Sequence, residues 1–309
     1  MEKNDFVAGM LAYIFKLRRE GHHSSAKSYQ DALNSFLRFC GLEVIPYTYI
    51  NKDTLLSYQA YLLKRECARN TVSTYMRRIR CVYNRAVEEG EAPYVPHLFK
   101  GVFTGVESKR KKAVFEDTLR SLMTNPVSDP EIKDTQRVFC LMFLFCGMAF
   151  VDFAHLRKTD IKDGLLSYHR QKTGALMQVE VLTVAMSLLE ELAERTSLDS
   201  PFLFPYLSGK ESGEAAYKEY NTALARFNRD LKSLARACGV TCPVTSYTIR
   251  HSFASTLKEQ EVPIEMISEL LGHRSIKTTQ IYLKSFSLEK MSAVNKVCFE
   301  SIYNKSKVG

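Results

Sequence analysis

The sequence predicts a mainly α-helical chain in two domains, with one small β-hairpin confined to the second. Along most of the chain, apolar residues recur at the spacing of a helix with one buried face. One stretch, LLSYHRQKTGALMQVEVL at residues 165–182, instead forms two β-prone segments about a Lys-Thr-Gly turn. At residues 101–112 the periodicity lapses into GVFTGVESKRKK, whose glycines and closing run of basic residues have the composition of an exposed connector.

The first element is a helical hairpin from Asp5 to about Cys40. Phe6, Met10, Tyr13, Ile14 and Leu17 line one arm and Tyr29, Leu33, Phe36 and Leu37 the other, with a break at Gly21. Two helices follow, about Lys52 to Arg65 and Thr71 to Glu89, the second read as capped by Asn70 and stopped by Gly90. The first domain, residues 1–105, is therefore expected to be all α, with a basic linker at 106–112 and the second domain at 113–309. The last helix pair gathers Lys64, Arg65, Arg69, Arg77, Arg78, Arg80 and Arg85 around Tyr75 and Tyr83, a face able to grip phosphates. Beyond the linker come a helix from near Glu116, an apolar helix from about Thr135 to Phe145, a break at Gly147 and a short helix to Leu156. After the hairpin, helices are expected at about Ala185–Arg195, Tyr217–Ala237 and Ser252–Gln260, and Pro263 is expected at the first position of another.

At 309 residues, 45% hydrophobic and 25% charged, the chain can bury two cores, and wholesale disorder is excluded. The polar start MEKNDF carries no targeting signal, and the most apolar run, Val138–Val151, is too short to cross a bilayer, so a cytoplasmic protein without membrane contact is expected. Eight scattered cysteines form no CxxC pair. Cys238 and Cys242 have no His/Cys set beside them, so neither a metal site nor a disulfide framework is expected. The net charge of +9 sits almost wholly in residues 1–112, which hold 19 Lys/Arg against 11 Asp/Glu, while the remainder holds 24 against 23. Such an excess fits a polyanion partner, nucleic acid above all, or a merely basic solvated surface.

Arg250 stands in TSYTIRHSFAST near a helix start, where guanidinium and backbone N–H groups can together hold a phosphate. Taken alone, an Arg-His pair reads better as one half of a structural ion pair with a core-facing helix. Downstream, LLGHRSIKTTQIYLK places His273 behind a glycine and Tyr282 nine residues after that histidine. The ordered set of Lys172 in the hairpin, Arg250–His251, Leu271–Gly272–His273 and Tyr282 resembles the tyrosine recombinase family, also called phage integrases, over essentially the whole chain.

The resemblance implies a two-domain C-shaped clamp, with an all-α core-binding (SAM-like) domain and a mixed α/β catalytic domain. It implies cleavage and rejoining of double-stranded DNA at a specific site through a 3′-phosphotyrosine, with no metal or other cofactor, in a tetramer on two DNA sites. Tyr282 matches the nucleophile, Arg250 the second family arginine, His273 a donor to the scissile phosphate, and Lys172 the acid that protonates the leaving 5′-oxygen. The elementary chemistry agrees: a phenol, with a pKa of about 10, attacks well only where positioned donors stabilise the developing charge. His251 is expected to hold the fold, and Arg65, Arg69, Arg77, Arg78, Arg80, Lys109, Arg110, Lys111 and Lys112 to contact DNA.

The sequence departs from the family pattern twice. CGMAFVDFAHL puts Ala149 where the first family arginine belongs, although Asp152 still matches the acidic residue that follows it. Tyr247 stands where a histidine three residues before Arg250 is usual; a phenol replaces the binding role better than the role of a base. Both substitutions resemble recombinases of Bacteroidetes mobile elements and phase-variation invertases. Arg170, expected on the same strand face as Lys172, is a candidate for the missing cation or a DNA-backbone contact, with Arg137 and Arg157 as further candidates. Leu288, Met291, Val294 and Val297 stripe a tail helix that packs on its own core or, as the family implies, on a neighbouring protomer. The few residues before the first helix favour inversion, resolution or excision over arm-dependent integration. A DNA-binding accessory factor without chemistry and a type IB topoisomerase are the competing readings.

Overall fold

The computed structural model describes residues 4–107, 114, 116–193, 199–283 and 291–297, the side chains of residues 193, 281 and 282 excepted. It divides into two compact units, Met1–Lys109 with Ser212–Tyr217, and Arg110–Glu211 with Lys218–Gly309.

The first unit is built on four helices: α1 (Phe6–Arg19), α2 (His23–Cys40), α3 (Lys52–Lys64) and α4 (Arg69–Glu88). Asp5 starts α1 by accepting from the N–H groups of Val7 and Ala8, and it also accepts from the Ile45 N–H, which fastens the loop after α2. Phe6, Phe36, Tyr47 and Tyr58 meet edge to face in the core, and the buried Tyr58 hydroxyl is satisfied by Ser35 Oγ at 2.8 Å. α4 contributes Val72, Met76, Ile79, Val82 and Tyr83 at helical spacing. Asn70 is not its cap, because the helix begins earlier than read, at Arg69. Its amide instead forms a reciprocal pair with the backbone N–H and C=O of Glu107, both at 2.8 Å, and holds residues 103–107 beside α4.

The second unit carries α5 (Glu116–Thr124), α6 (Pro130–Leu144), α7 (Phe150–Ala154), α8 (Thr183–Ala193), α9 (Gly213–Ala237) from Lys218 onward, α10 (Ser246–Glu259), α11 (Ile264–Leu270) and α12 (Ile276–Tyr282). Its sheet has three antiparallel strands in the order β1 (Ile161–Lys162), β2 (Leu165–His169), β3 (Leu176–Glu180). Leu166 faces Val179 and Tyr168 faces Met177; these four side chains are buried, so alternation along the hairpin sends one face into the core. Phe150 stacks on Phe227 at 4.5 Å and Phe153 on Phe204 at 4.2 Å, pinning α7 to α9 and to the segment after α8. A smaller cluster of Ala254, Ile267, Leu271 and Leu283 joins α10, α11 and the end of α12. β1 and the early start of α10 are additions to the sequence reading. Pro263 is the N-cap of α11 and not its first residue. The helical stretch at 291–297 leaves Met291, Val294 and Val297 exposed.

Candidate functional site

The site is built where three segments of the second unit meet: the turn between β2 and β3, the second turn of α10, and the loop from α11 to α12. Arg250 is buried on α10. Its Nη1 donates to the Gly147 carbonyl at 3.0 Å, and its Nη2 donates to the Leu271 carbonyl and lies 3.3 Å from His273 Nε2. Gly147 is required there, since it adopts a φ of +63° and a Cβ would lie 2.9 Å from that of Phe253.

His273 follows Gly272, where the chain turns at a φ of +59° and a Cβ would collide with Arg170 Cδ and Met177 Sδ. Its Nδ1 lies 2.9 Å from the hydroxyl of the fully buried Thr279 on α12. Burial, and then the positive charges of Arg250, Arg170 and Lys172, push His273 down from its ordinary 6.5 to about 4, so the imidazole is neutral at physiological pH.

β2 ends at His169, so Arg170 and Lys172 do not share a strand face as expected. They lie in the turn instead, with Lys172 exposed and Arg170 buried. Arg170 Nε pairs with Asp152 at 3.4 Å, and its Nη1 donates to the carbonyls of Leu271 at 2.9 Å and Gly272 at 2.8 Å. These bonds turn the buried guanidinium toward Asp152 and the loop carbonyls. Asp152, in the first turn of α7, also accepts from the Gln171 N–H at 2.8 Å, while Arg274 donates to the Thr173 carbonyl. The turn that carries Lys172 is thus tied on both sides to the loop that carries His273.

Ala149 is the N-cap of α7 and brings no charge. Of the other candidates for its missing cation, Arg137 is engaged with Asp134 and Glu191, and Arg157 is exposed, its N–H bonded to Asp160. Tyr247 sits in the first turn of α10, 57% exposed, its ring 6.4 Å from that of His251. Backbone geometry puts Tyr282 at the end of α12, one turn beyond Thr279. The Tyr282 side chain lies outside the described structure, as do Lys109, Arg110, Lys111 and Lys112. Among the described residues no group of three or more His, Cys, Asp or Glu could hold a metal ion, and no helix is long and apolar enough to cross a membrane.

In the first unit the arginines do not form one cluster. Arg77 and Arg80 share a flank of α4, whereas Arg78 and Arg80 point roughly 160° apart around the helix. Arg78 lies over the Tyr29 ring and donates to Ser28, Arg65 lies over Tyr61, and Arg69 lies over Phe103. Arg77 is steadied by the Ser73 carbonyl and the Thr74 hydroxyl. Tyr83 is core, its hydroxyl donating to the Pro93 carbonyl.

Sequence reading missed Thr279, Arg274 and the Leu271 carbonyl on which Arg170 and Arg250 both converge. Asp152 was noted only as matching the family's acidic residue, and a side chain that binds main-chain groups leaves no spacing signature.

The chain is similar to known proteins in sequence and in fold. The sequence model of the phage integrase SAM-like domain matches residues 5–99, and that of the phage integrase family matches residues 112–289. A tyrosine recombinase of Thermosipho africanus is 23% identical over 290 residues, covering 92% of this chain and 96% of its own. The tyrosine recombinase XerC of Pseudomonas fluorescens is 27% identical over 282 residues, 88% and 89% of the two chains. Among solved structures, a lambda integrase tetramer bound to a Holliday junction aligns with a TM-score of 0.67 at 17% identity, covering 92% of this chain and 78% of that one. The Tn1549 transposon integrase in complex with a circular intermediate DNA aligns with a TM-score of 0.67 at 11% identity, covering 95% and 99%. The structural likeness is one of fold; the family match, which spans more than half of the sequence, establishes that the chain belongs to the phage integrase family.

Proposed function

We propose that the chain is a site-specific tyrosine recombinase that cleaves and rejoins double-stranded DNA for inversion, excision or integration of a DNA element. The observation that carries this reading is the convergence of Arg250, His273 and the Lys172 turn beside α12, the helix that ends in Tyr282. In the proposed reaction the Tyr282 hydroxyl loses its proton to solvent as its oxygen attacks phosphorus, and the bond from phosphorus to the 5′-oxygen breaks. Lys172 protonates the leaving oxygen, and the products are a 3′-phosphotyrosine and a free 5′-hydroxyl. Arg250 supplies the fixed positive charge on the non-bridging oxygens. Neutral His273 has one donor and one acceptor nitrogen, so it hydrogen-bonds the phosphate without adding charge. Tyr247, exposed at the start of the same helix as Arg250, is a further phosphate donor. Attack by the freed 5′-hydroxyl on the phosphotyrosine reverses the step and conserves the bond energy.

The first unit is proposed as the core-binding domain, using Arg65, Arg69, Arg77, Arg78 and Arg80. The basic linker, with Lys109, Arg110, Lys111 and Lys112, adds further phosphate contacts. Assembly as a tetramer on two sites is supported by the fold shared with the lambda integrase solved as a tetramer on a Holliday junction. The alternative of an accessory factor without chemistry draws its support from Ala149. Nicked duplexes made from candidate repeat sequences beside the gene separate the two. A covalent adduct that is lost in Tyr282→Phe supports the recombinase, whereas retarded DNA with no adduct from either protein supports the accessory factor.

A further inference from the structure

Thr279 has no solvent exposure, yet it is polar and lies on a helix whose other side chains from Ile276 to Thr278 are exposed. Its hydroxyl meets His273 Nδ1 at 2.9 Å, and it precedes Tyr282 by three residues on α12, so the two share a side of the helix. Among the described residues, the charged groups facing His273 are Arg250 from α10 and Arg170 and Lys172 from the hairpin turn, with Asp152 of α7 behind Arg170. A guanidinium only donates. With Arg250 Nη2 at 3.3 Å, His273 Nε2 is therefore the acceptor, and the ring proton sits on Nδ1, aimed at Thr279 Oγ1. A phosphate oxygen presented to Nε2 needs the other tautomer, with the proton on Nε2 and Nδ1 as acceptor. A hydroxyl accommodates both, because it accepts from Nδ1–H in the first state and donates to bare Nδ1 in the second.

We propose that Thr279 is a positioning residue of the recombination site: its hydroxyl stays bonded to His273 in either tautomer and ties the helix of the nucleophile to the histidine that meets the phosphate. The proposal rests on the assignment of His273 and Tyr282 given above. Thr279 acts through His273 and through the α12 backbone, without touching DNA. A shape role and a hydrogen-bond role predict opposite orders for two substitutions. Valine keeps the volume and loses the hydroxyl; serine keeps the hydroxyl and loses a methyl group.

The test uses the full-length protein on the same nicked duplexes and measures the rate of covalent adduct formation alongside DNA affinity. Thr279→Val is expected to slow adduct formation about 10- to 100-fold, the rate equivalent of losing the hydroxyl's hydrogen bond to the half-buried His273, with affinity unchanged within about twofold. Thr279→Ser is expected to fall by less than about fivefold, since only a small cavity results. A valine variant as fast as wild type, or faster than the serine variant, overturns the positioning role. Loss of DNA affinity in step with rate also overturns it, because it indicates a general structural defect. If wild type itself forms no adduct sensitive to Tyr282→Phe, the assignment of the site fails and the role of Thr279 fails with it. A wild-type adduct with an unaffected valine variant removes the proposal alone.

Discussion

Replacing Arg170 with methionine is expected to destabilise the second unit far more than a surface arginine would. The pair with Asp152 is desolvated on both sides, at 6% and 1% side-chain exposure, so its loss leaves a carboxylate buried without its cation. It also removes the donor to the carbonyls of Leu271 and Gly272. Breaking one partner of a buried pair costs about 3–5 kcal/mol. For a unit of this size that corresponds to a midpoint lowered by about 6–20 °C. Thermal unfolding followed by circular dichroism gives the single-variant value. The double variant Arg170→Met/Asp152→Asn gives the coupling, because the substituted side-chain amide still accepts from the Gln171 N–H but carries no charge to strand. The double variant is expected to melt above Arg170→Met alone, with a coupling of about 1–3 kcal/mol. An Arg170→Met protein within about 1 kcal/mol of wild type, or a double variant no better than the single, would show that Arg170 does not hold the hairpin turn against the His273 loop.

Because His273 titrates near 4 in the folded protein and at 6.5 when unperturbed, the unfolded chain takes up the proton first as pH falls. Stability is therefore expected to be full above pH 6.5 and to decline toward pH 4; denaturant midpoints across that window should be flatter in His273→Gln, and equal slopes in the two proteins would refute the neutral imidazole. Arg77→Ala, at an exposed position of α4, is expected to lower the slope of log affinity against log salt by about one, measured by DNA titration at several salt concentrations. An unchanged slope removes Arg77 from the DNA face. Asn70→Ala breaks both bonds to Glu107 and is expected to raise hydrogen exchange at residues 103–107 several-fold while α4 remains protected.

The architecture was legible in the sequence wherever burial follows a period. The hairpin of α1 and α2 was read from apolar spacing and the β2–β3 hairpin from two β-prone segments about a turn, because the apolar residues in those patterns face a core. The reading failed where polar residues are buried. α10 begins at Ser246, since Thr245 and Thr248 cap each other and Ser246, Thr248 and Ser252 pack inside, which no hydrophobic pattern registers. Arg170 was given the wrong face because the alternation argument carries β2 one residue past its end at His169, into a turn where the period of two no longer applies. Arg250, His273 and Lys172 were found through the order of their motifs. The convergence of Arg250 and Arg170 on the Leu271 carbonyl beside His273 is a property of three distant segments, visible only in the fold.

Ala149 removes a cation from the wall of the site, yet the field of the site is still positive. Arg170, Arg250 and Lys172 all act on His273 to oppose its protonation, so all three charges reach the place where the phosphate is proposed to bind. Arg170 delivers its charge from behind the wall, with its hydrogen bonds given to Asp152 and to the loop carbonyls. Coulomb attraction does not need contact, and in a partly desolvated site it falls slowly with distance. What Ala149 forfeits is then the directional part, a pair of N–H donors aimed at an oxygen. Restoring it tests this division. Ala149→Arg should tighten binding of the cleavable phosphate only if the new side chain escapes Asp152, which lies one turn along α7 and already holds a guanidinium. Competition for that carboxylate is expected to make Ala149→Arg slower than wild type in adduct formation, and Ala149→Arg/Arg170→Met faster than Arg170→Met alone. If Ala149→Arg accelerates cleavage with Arg170 in place, Asp152 does not reserve its charge for Arg170, and the two arginines are independent.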